Sequence, residues 1–188
     1  QNITFTNHFI GRDCEIQEVL EKLRTSKRIL IKGLGGIGKT TVMQKIYHIL
    51  LDKIKKENLD MQIGYFDYEI STAYTIYKAL GFEKTNDKAV DLELAAKALQ
   101  DYSNKKDTVI FIDNVPADRH KELHELDCYS CWIILTSRQQ EYDSYDTVDI
   151  GRLGLEDCIR LFQKESRYQG NTADLENLIE NMIGRHTL

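Results

Sequence analysis

Two rhythms of apolar residues run along the chain. Between Asp13 and Arg24, Ile16, Val19, Leu20 and Leu23 fall three or four positions apart with charges between them, the spacing that gathers side chains on one face of a helix. Arg28-Ile29-Leu30-Ile31 is instead a short apolar run, and the spacing predicts a strand over 28–32 followed by a helix over 40–56. A strand is expected near Gln62–Asp67, and Ser71 is placed to cap a short helix ending at Gly81. A further helix, roughly Lys88 to Tyr102, buries Leu92, Leu94 or Ala95, Ala98 and Leu99. Thr108-Val109-Ile110-Phe111-Ile112 is continuously apolar up to Asp113, as expected of a strand covered on both faces. Pro116, the only proline, suits the first turn of another helix. Trp132–Leu135 and Thr147–Ile150 read as short strands, and Leu155–Arg167 and Ala173–Gly184 as helices. Strands alternating with helices predict a parallel α/β sheet, with ligands at the C-terminal ends of its strands. No internal repeat, low-complexity tract or flexible linker interrupts the order, and the two last helices can form a small bundle of their own.

A chain of 188 residues suits one domain with a substantial core and room for a small appendage. With 41% hydrophobic and 29% charged residues it falls among ordinary globular proteins, not disordered ones. A net charge of −5 gives no electrostatic reason for a nucleic-acid surface, so no direct nucleic-acid partner is expected. No apolar stretch approaches the ~20 residues needed to span a bilayer, and no signal peptide opens the chain, which leads to the expectation of a cytoplasmic protein without a membrane partner. Because the chain starts at Gln1 and stops at Leu188 inside a helical pattern, it is expected to be part of something longer.

The chemistry concentrates between the first predicted strand and the helix after it. Gly33-Leu34-Gly35-Gly36-Ile37-Gly38-Lys39-Thr40 is a complete G-x-x-x-x-G-K-S/T phosphate loop, continued by Thr41. Glycines let consecutive backbone N–H groups point inward at phosphate oxygens, and the helix N-terminus adds partial positive charge. Lys39 would reach the β- and γ-phosphates, and the Thr40 hydroxyl would ligate Mg²⁺. The competing reading, a glycine-rich turn that holds nothing, does not account for the strand before it and the helix after it.

The run ending at Asp113 puts a carboxylate at a strand's C-terminal edge, where it can hold Mg²⁺ directly or through water; an ordinary strand-ending Asp is the alternative. Asn114 follows, where fast ATPases of related design commonly place an acid, and an amide cannot accept the proton of an attacking water, so weak hydrolysis is expected. Trp132-Ile133-Ile134-Leu135-Thr136-Ser137-Arg138 repeats the pattern of an apolar strand with a polar end. That brings Arg138 near a γ-phosphate, where a bidentate guanidinium could tell tri- from diphosphate; a plain surface arginine is the other possibility.

Phe9-Ile10-Gly11-Arg12-Asp13, the loop Gly33–Thr41, Asp113-Asn114, Leu135-Thr136-Ser137-Arg138 and Leu153-Gly154-Leu155 followed by Leu161-Phe162 stand in the order found in NB-ARC ATPases, which the chain resembles over nearly its whole length. These belong to the STAND signalling class, with relatives in plant disease-resistance proteins, the apoptotic protease-activating factor and many bacterial regulators. The resemblance implies a P-loop NTPase of the α/β class, with a five-stranded parallel sheet in the order 5-1-4-3-2 flanked by helices. It also implies the start of a small C-terminal helical lid, dividing the chain into a nucleotide-binding domain at 1–151 and a truncated lid at 152–188. ATP or ADP with Mg²⁺ is the implied cofactor, and an ATP/ADP switch that governs assembly is the implied activity, with flanking domains and self-association in the full-length protein as partners. Ile10, Gly11 and Arg12 would line the adenine side, Asp13 standing where the family more often has Glu. Lys39, Thr40 and Thr41 take the phosphate and Mg²⁺ roles, Asp113 the metal-acid role and Arg138 the sensor role; Lys39, Asp113 and Arg138 form the catalytic set. Gly184-Arg185-His186-Thr187-Leu188 resembles the stretch where relatives carry Gly-Leu-Pro-Leu, with Thr187 in place of the proline that packs on adenine.

Other signals lead elsewhere. Asn104-Lys105-Lys106-Asp107 fits the N-K-x-D pattern by which GTPases read guanine, but it precedes the Asp113 strand and so belongs at the end away from the phosphates. His120, His124, Cys128 and Cys131 make four potential zinc ligands in a spacing that matches no common zinc site, and buried reduced thiols are the simpler reading. Tyr65, Tyr68, Tyr74 and Tyr77 follow core and helix periodicity and lack the interleaved arginines of a single-strand stacking platform. Lys53 to Glu57 reads as a solvated helix end whose lysines suit the dipole. A turnover ATPase, motor or kinase-like, related to the AAA+ and RecA proteins, is the alternative to a switch, and a scaffold that has lost nucleotide binding is a third.

Overall fold

The computed structural model describes residues 9–69, 71–72, 74–75, 85, 87–105, 107–119, 123–124, 126, 130–138, 142–166, 168 and 170–183. Five parallel strands form one sheet: β1 (Arg28–Lys32), β2 (Met61–Asp67), β3 (Asp107–Val115), β4 (Trp132–Ser137) and β5 (Asp146–Asp149). Their spatial order is β2-β3-β4-β1-β5, which is 5-1-4-3-2 seen from the other edge. Register pairs Leu30 with Leu135 and Thr147, and Ile110 with Ile133. The chain leaves β1, crosses to the far edge, returns strand by strand to β4 and only then reaches β5. The C-terminal ends of β1 and β4 therefore flank the point where the winding reverses, which is where open α/β sheets form a ligand crevice.

Alternation along the strands sorts the core into two layers, because successive side chains point to opposite faces. Ile29, Ile31, Val109, Phe111, Ile134 and Val148 pack with helices α1 (Asp13–Lys22) and α2 (Lys39–Lys56) through Ile16, Val19, Val42, Met43 and Ile46. Leu30, Ile110, Ile112, Ile133 and Leu135 pack on the other face with Leu99 of α3 (Lys88–Lys105) and with Leu123, Leu126, Tyr142 and Tyr145. A third cluster, Leu153, Cys158, Ile159, Leu175 and Ile179, joins α4 (Leu155–Ser166) to α5 (Thr172–Leu178) and the wider π-turn Ile179–Ile183 behind it. Asn171 caps α5 by accepting the Ala173 N–H at 3.0 Å.

Of the two alternatives in α3 it is Ala95, 1% exposed, that faces the core, while Leu94 is 41% exposed; Leu99 is buried as expected. Two local expectations change. β3 does not end at Asp113 but continues, through an irregularity between Ile112 and Val115, to Val115. Pro116 opens a turn closed by the Arg119 N–H on the Pro116 carbonyl at 3.3 Å, and the described residues after it become helical only at 123–124. Most of the segment expected as a helix ending at Gly81 lies outside the described residues, although Ser71 does accept the Tyr74 N–H at 3.0 Å.

Candidate nucleotide site

Between β1 and α2 the backbone makes a turn that sequence chemistry dictates. Gly33 has φ +154°, and a Cβ there would lie 2.7 Å from the Ile150 carbonyl oxygen, so the loop can press against the segment after β5 only if that residue has no side chain. Gly38, at φ +99°, turns the chain into α2 without a capping side chain of its own, leaving first-turn N–H groups of the helix for an anion. Ile37 is buried in the core at 1% exposure and can serve a ligand only through its backbone, whereas Leu34 is 62% exposed.

Lys39 is 8% exposed, and its ammonium donates to the carbonyl oxygens of Gly33 and Leu34, both at 2.9 Å. Burial lowers its proton affinity, nearby Arg138 lowers it further, and Asp113 works in the opposite direction. The lysine is thus within electrostatic reach of a cation just after β4 and an anion of β3.

Asp113 is fully buried and densely hydrogen-bonded. Oδ1 accepts from the Thr136 hydroxyl and, at 3.0 Å, from the Asn114 N–H, while Oδ2 accepts from the Tyr65 hydroxyl at 2.9 Å. Asn114 has φ +62°, a conformation asparagine tolerates better than most residues, and its N–H also reaches Thr136 Oγ1 at 2.8 Å. The carboxylate is thus tied to β2 and β4 as well as to its own strand. Burial pushes the Tyr65 phenol well above the usual tyrosine range, and the Asp113 charge and hydrogen bond add to this, so Tyr65 is a neutral donor.

A cleft of about 750 Å³ opens above these groups, lined by Gly35, Gly36, Gly38, Lys39, Thr40, Thr41, Asn114, Val115, Pro116, Ala117, Ser137 and Arg138. The Arg138 guanidinium lies over the loop: a Cβ on Gly35 would meet its Cζ at 3.3 Å. Gly11 packs against the start of α4, where an added Cβ would come within 2.6 Å of Asp157 Oδ2 and 3.0 Å of Leu153 Cδ1. Ile10 and Gly11 therefore sit where the N-terminal segment meets the C-terminal helices. Arg12 is different: its guanidinium is spent inside the protein, on Glu15 Oε1 at 2.7 Å and on the Ile37 carbonyl at 3.2 Å. It thereby ties the N-terminal segment to the phosphate loop.

Donor chemistry fits a magnesium nucleotide. Glycine-shaped backbone, a helix N-terminus, an ammonium and a guanidinium suit a polyphosphate, and the Thr40 hydroxyl in the cleft lining, with the buried Asp113 carboxylate next to the lining residue Asn114, suits a hard cation. Asn104 and Lys105 end α3 and Asp107 opens β3, so in a parallel sheet the guanine-type tetrapeptide lies at the edge opposite the phosphate loop. Of the zinc candidates, His120 and Cys128 lie outside the described residues, Cys131 is buried at 1% exposure and His124 is exposed. Among the described residues no three His, Cys, Asp or Glu side chains gather as a metal site. Residues 184–188, with His186 and Thr187, are also outside them, and so is Tyr77. Among the described residues no helix is long and apolar enough to cross a membrane.

Tyr65 and Thr136 are the site residues that motif reasoning passed over. Thr136 lies inside the Leu135–Arg138 motif without a role of its own, and Tyr65 reads as core packing; the one available signal was a hydroxyl at a core-facing strand position where phenylalanine would pack as well.

The NB-ARC domain family matches residues 12–171, well over half of the chain. No curated protein matches it. Among solved structures, a STAND protein with a tetratricopeptide repeat sensor from Pyrococcus horikoshii is similar at TM-score 0.58 and 17% identity, over 97% of this chain and 29% of its own. The ORC1 protein of Aeropyrum pernix, solved in complex with DNA, is similar at TM-score 0.67 and 14% identity, over 87% of this chain and 51% of its own. Hsp104 of S. cerevisiae in its ADP complex has TM-score 0.56 and 18% identity, over 84% and 24% respectively. At such identities the likeness is one of fold, and the chain spans well under two thirds of each of these proteins.

Proposed function

The chain belongs to the NB-ARC family, and from that premise we propose that it is the ATP/ADP-binding switch of a larger STAND-type protein, hydrolysing ATP slowly and controlling that protein's assembly. The observation that carries the reading is convergence: Lys39 at the start of α2 and Arg138 after β4 line one cleft, Arg138 lies over Gly35 of the glycine loop, and Lys39 feels the charges of both Arg138 and Asp113 of β3. Backbone N–H groups of Leu34 through Thr41 and the Lys39 ammonium would hold the phosphates, and Thr40 with Asp113 would hold Mg²⁺. Magnesium, when bound, neutralises charge shared by the β- and γ-phosphates. Arg138, reaching over Gly35, would feel whether a γ-phosphate is there. Asn114 on the cleft wall supplies no carboxylate to take a proton from water, which supports slow turnover.

Packing of Gly11 against Asp157 and Leu153 supports adenine held where the N-terminal segment meets the lid, with 1–151 as nucleotide domain and 152–188 as the start of the lid. A nucleotide touching both can bias how they and the flanking domains pack, provided it binds one arrangement more tightly than the other. Self-association of the full-length protein in the cytoplasm is the expected output. Calorimetry with ADP and ATP plus magnesium tests the binding half of the proposal. Sedimentation of the full-length protein with ADP, with ATP and without nucleotide tests the switch: three coincident size distributions would refute it.

A further inference from the structure

Tyr65 is buried within an apolar cluster shared with α2. Its ring stacks on Phe111, centroids 6.1 Å apart with planes 14° apart, and meets Tyr47 of α2 edge-on at 5.7 Å. Ile134, Met43 and Ile46 belong to the same cluster, so phenylalanine would satisfy every apolar contact. A hydroxyl in such surroundings is costly unless paired. Here it donates to Asp113 Oδ2 at 2.9 Å. Thr136 and the Asn114 N–H occupy the other carboxylate oxygen. Two donors on Oδ1 and one on Oδ2 leave Asp113 a single lone pair for a cation, on Oδ2. Tyr65, as the donor to that oxygen, sets the direction in which the remaining lone pair faces.

We propose that Tyr65 is a positioning residue for magnesium: by fixing Asp113 Oδ2 it orients the carboxylate toward the cation beside Thr40, and it ties that orientation to strand β2 and helix α2. The inference rests on the nucleotide-binding reading of the site. Tyr65→Phe keeps the ring and its packing and removes only the hydroxyl. The affinity of a non-hydrolysable ATP analogue is measured with excess Mg²⁺ and again in EDTA, for wild type, Tyr65→Phe, Asp113→Asn and the double variant. Expected is an unchanged affinity of Tyr65→Phe in EDTA and a loss of about tenfold in the magnesium-dependent gain, the scale of a lost outer hydrogen bond to a metal ligand. In the Asp113→Asn background, which has already lost that gain, Tyr65→Phe should add nothing. Full retention of the gain in Tyr65→Phe overturns the proposal, and so does an equal loss with and without magnesium, which would be a packing effect. Absence of analogue binding in well-folded wild type would refute the nucleotide reading itself, and this proposal with it. If Tyr65→Phe fails to fold, wild type and Asp113→Asn still decide: an undiminished magnesium gain in Asp113→Asn removes the role Tyr65 is said to support.

Discussion

Lys39→Met separates binding from folding. Methionine keeps most of the aliphatic stem in the first turn of α2 and deletes an ammonium that donates to the Gly33 and Leu34 carbonyls at 2.9 Å each. A hydrogen bond to a charged group contributes about 1.5–3 kcal/mol, so two such donors redirected to phosphate oxygens amount to about 3–6 kcal/mol, or ~10²–10⁴-fold in Kd. Folding should change by no more than ~1 kcal/mol, because removing a buried charge relieves its desolvation while two loop carbonyls lose a partner. Titration calorimetry and denaturant unfolding on the same samples give both quantities. Wild-type Lys39 has its pKa lowered by burial first and by Arg138 second, Asp113 opposing. A lysine depressed in the folded state carries its burial cost below the folded pKa and sheds it as pH rises through that value toward the unfolded one. Wild type should therefore gain stability relative to Lys39→Met on the alkaline side of neutrality while its nucleotide affinity falls there. An affinity within about threefold of wild type, or a loss of binding matched by an equal loss of folding, would refute the reasoning that ties this ammonium to phosphate.

Gly33→Ala should lose about 2–4 kcal/mol of stability, since the new methyl meets the Ile150 carbonyl oxygen at 2.7 Å at φ +154°; an unchanged denaturation midpoint would contradict the turn geometry. Asn114→Asp adds a proton acceptor on the cleft wall and should raise phosphate release at least about tenfold, short of the ~10²–10⁴-fold of an optimised base; a rate equal to wild type would show that water activation is not what limits hydrolysis. Asp67, beside Asp113 in the β2–β3 register, has its pKa raised by burial, then by the charges of Asp113 and Glu69. Its ionisation is thus a cost that disappears as pH falls through the folded pKa, so Asp67→Asn should raise the Tm at pH 7 and leave it unchanged below pH ~3, where both states are protonated; the opposite pattern in scanning calorimetry would count against the charge crowding.

Much of the fold is local and therefore legible. The apolar run at 29–31 reads as a strand and that at 108–112 as a strand covered on both faces, and the phosphate loop marks the C-terminal end of the first of them. The sheet order came only with the family resemblance, and the position of β4 between β3 and β1 has no counterpart in periodicity. Leu94 and Ala95 are adjacent on one helix, and which faces the core depends on the rotation α3 adopts against β3. Pro116 permits a turn as readily as a first helical turn, and the Arg119 N–H on its carbonyl closes the turn.

From sequence alone come the chemical types at the site and their strand ends: a lysine and a threonine after the glycines, an aspartate after one apolar run, an arginine after another. Spacing encodes these because backbone conformation within a few residues is set by local sterics and hydrogen bonding. Which side chain is spent on which partner was decided in three dimensions. Arg12 went to the Ile37 carbonyl and Tyr65 to Asp113, 25 and 48 residues away in the chain, because hydrogen bonds reach only about 3 Å and the distances between distant segments exist only once the sheet has closed.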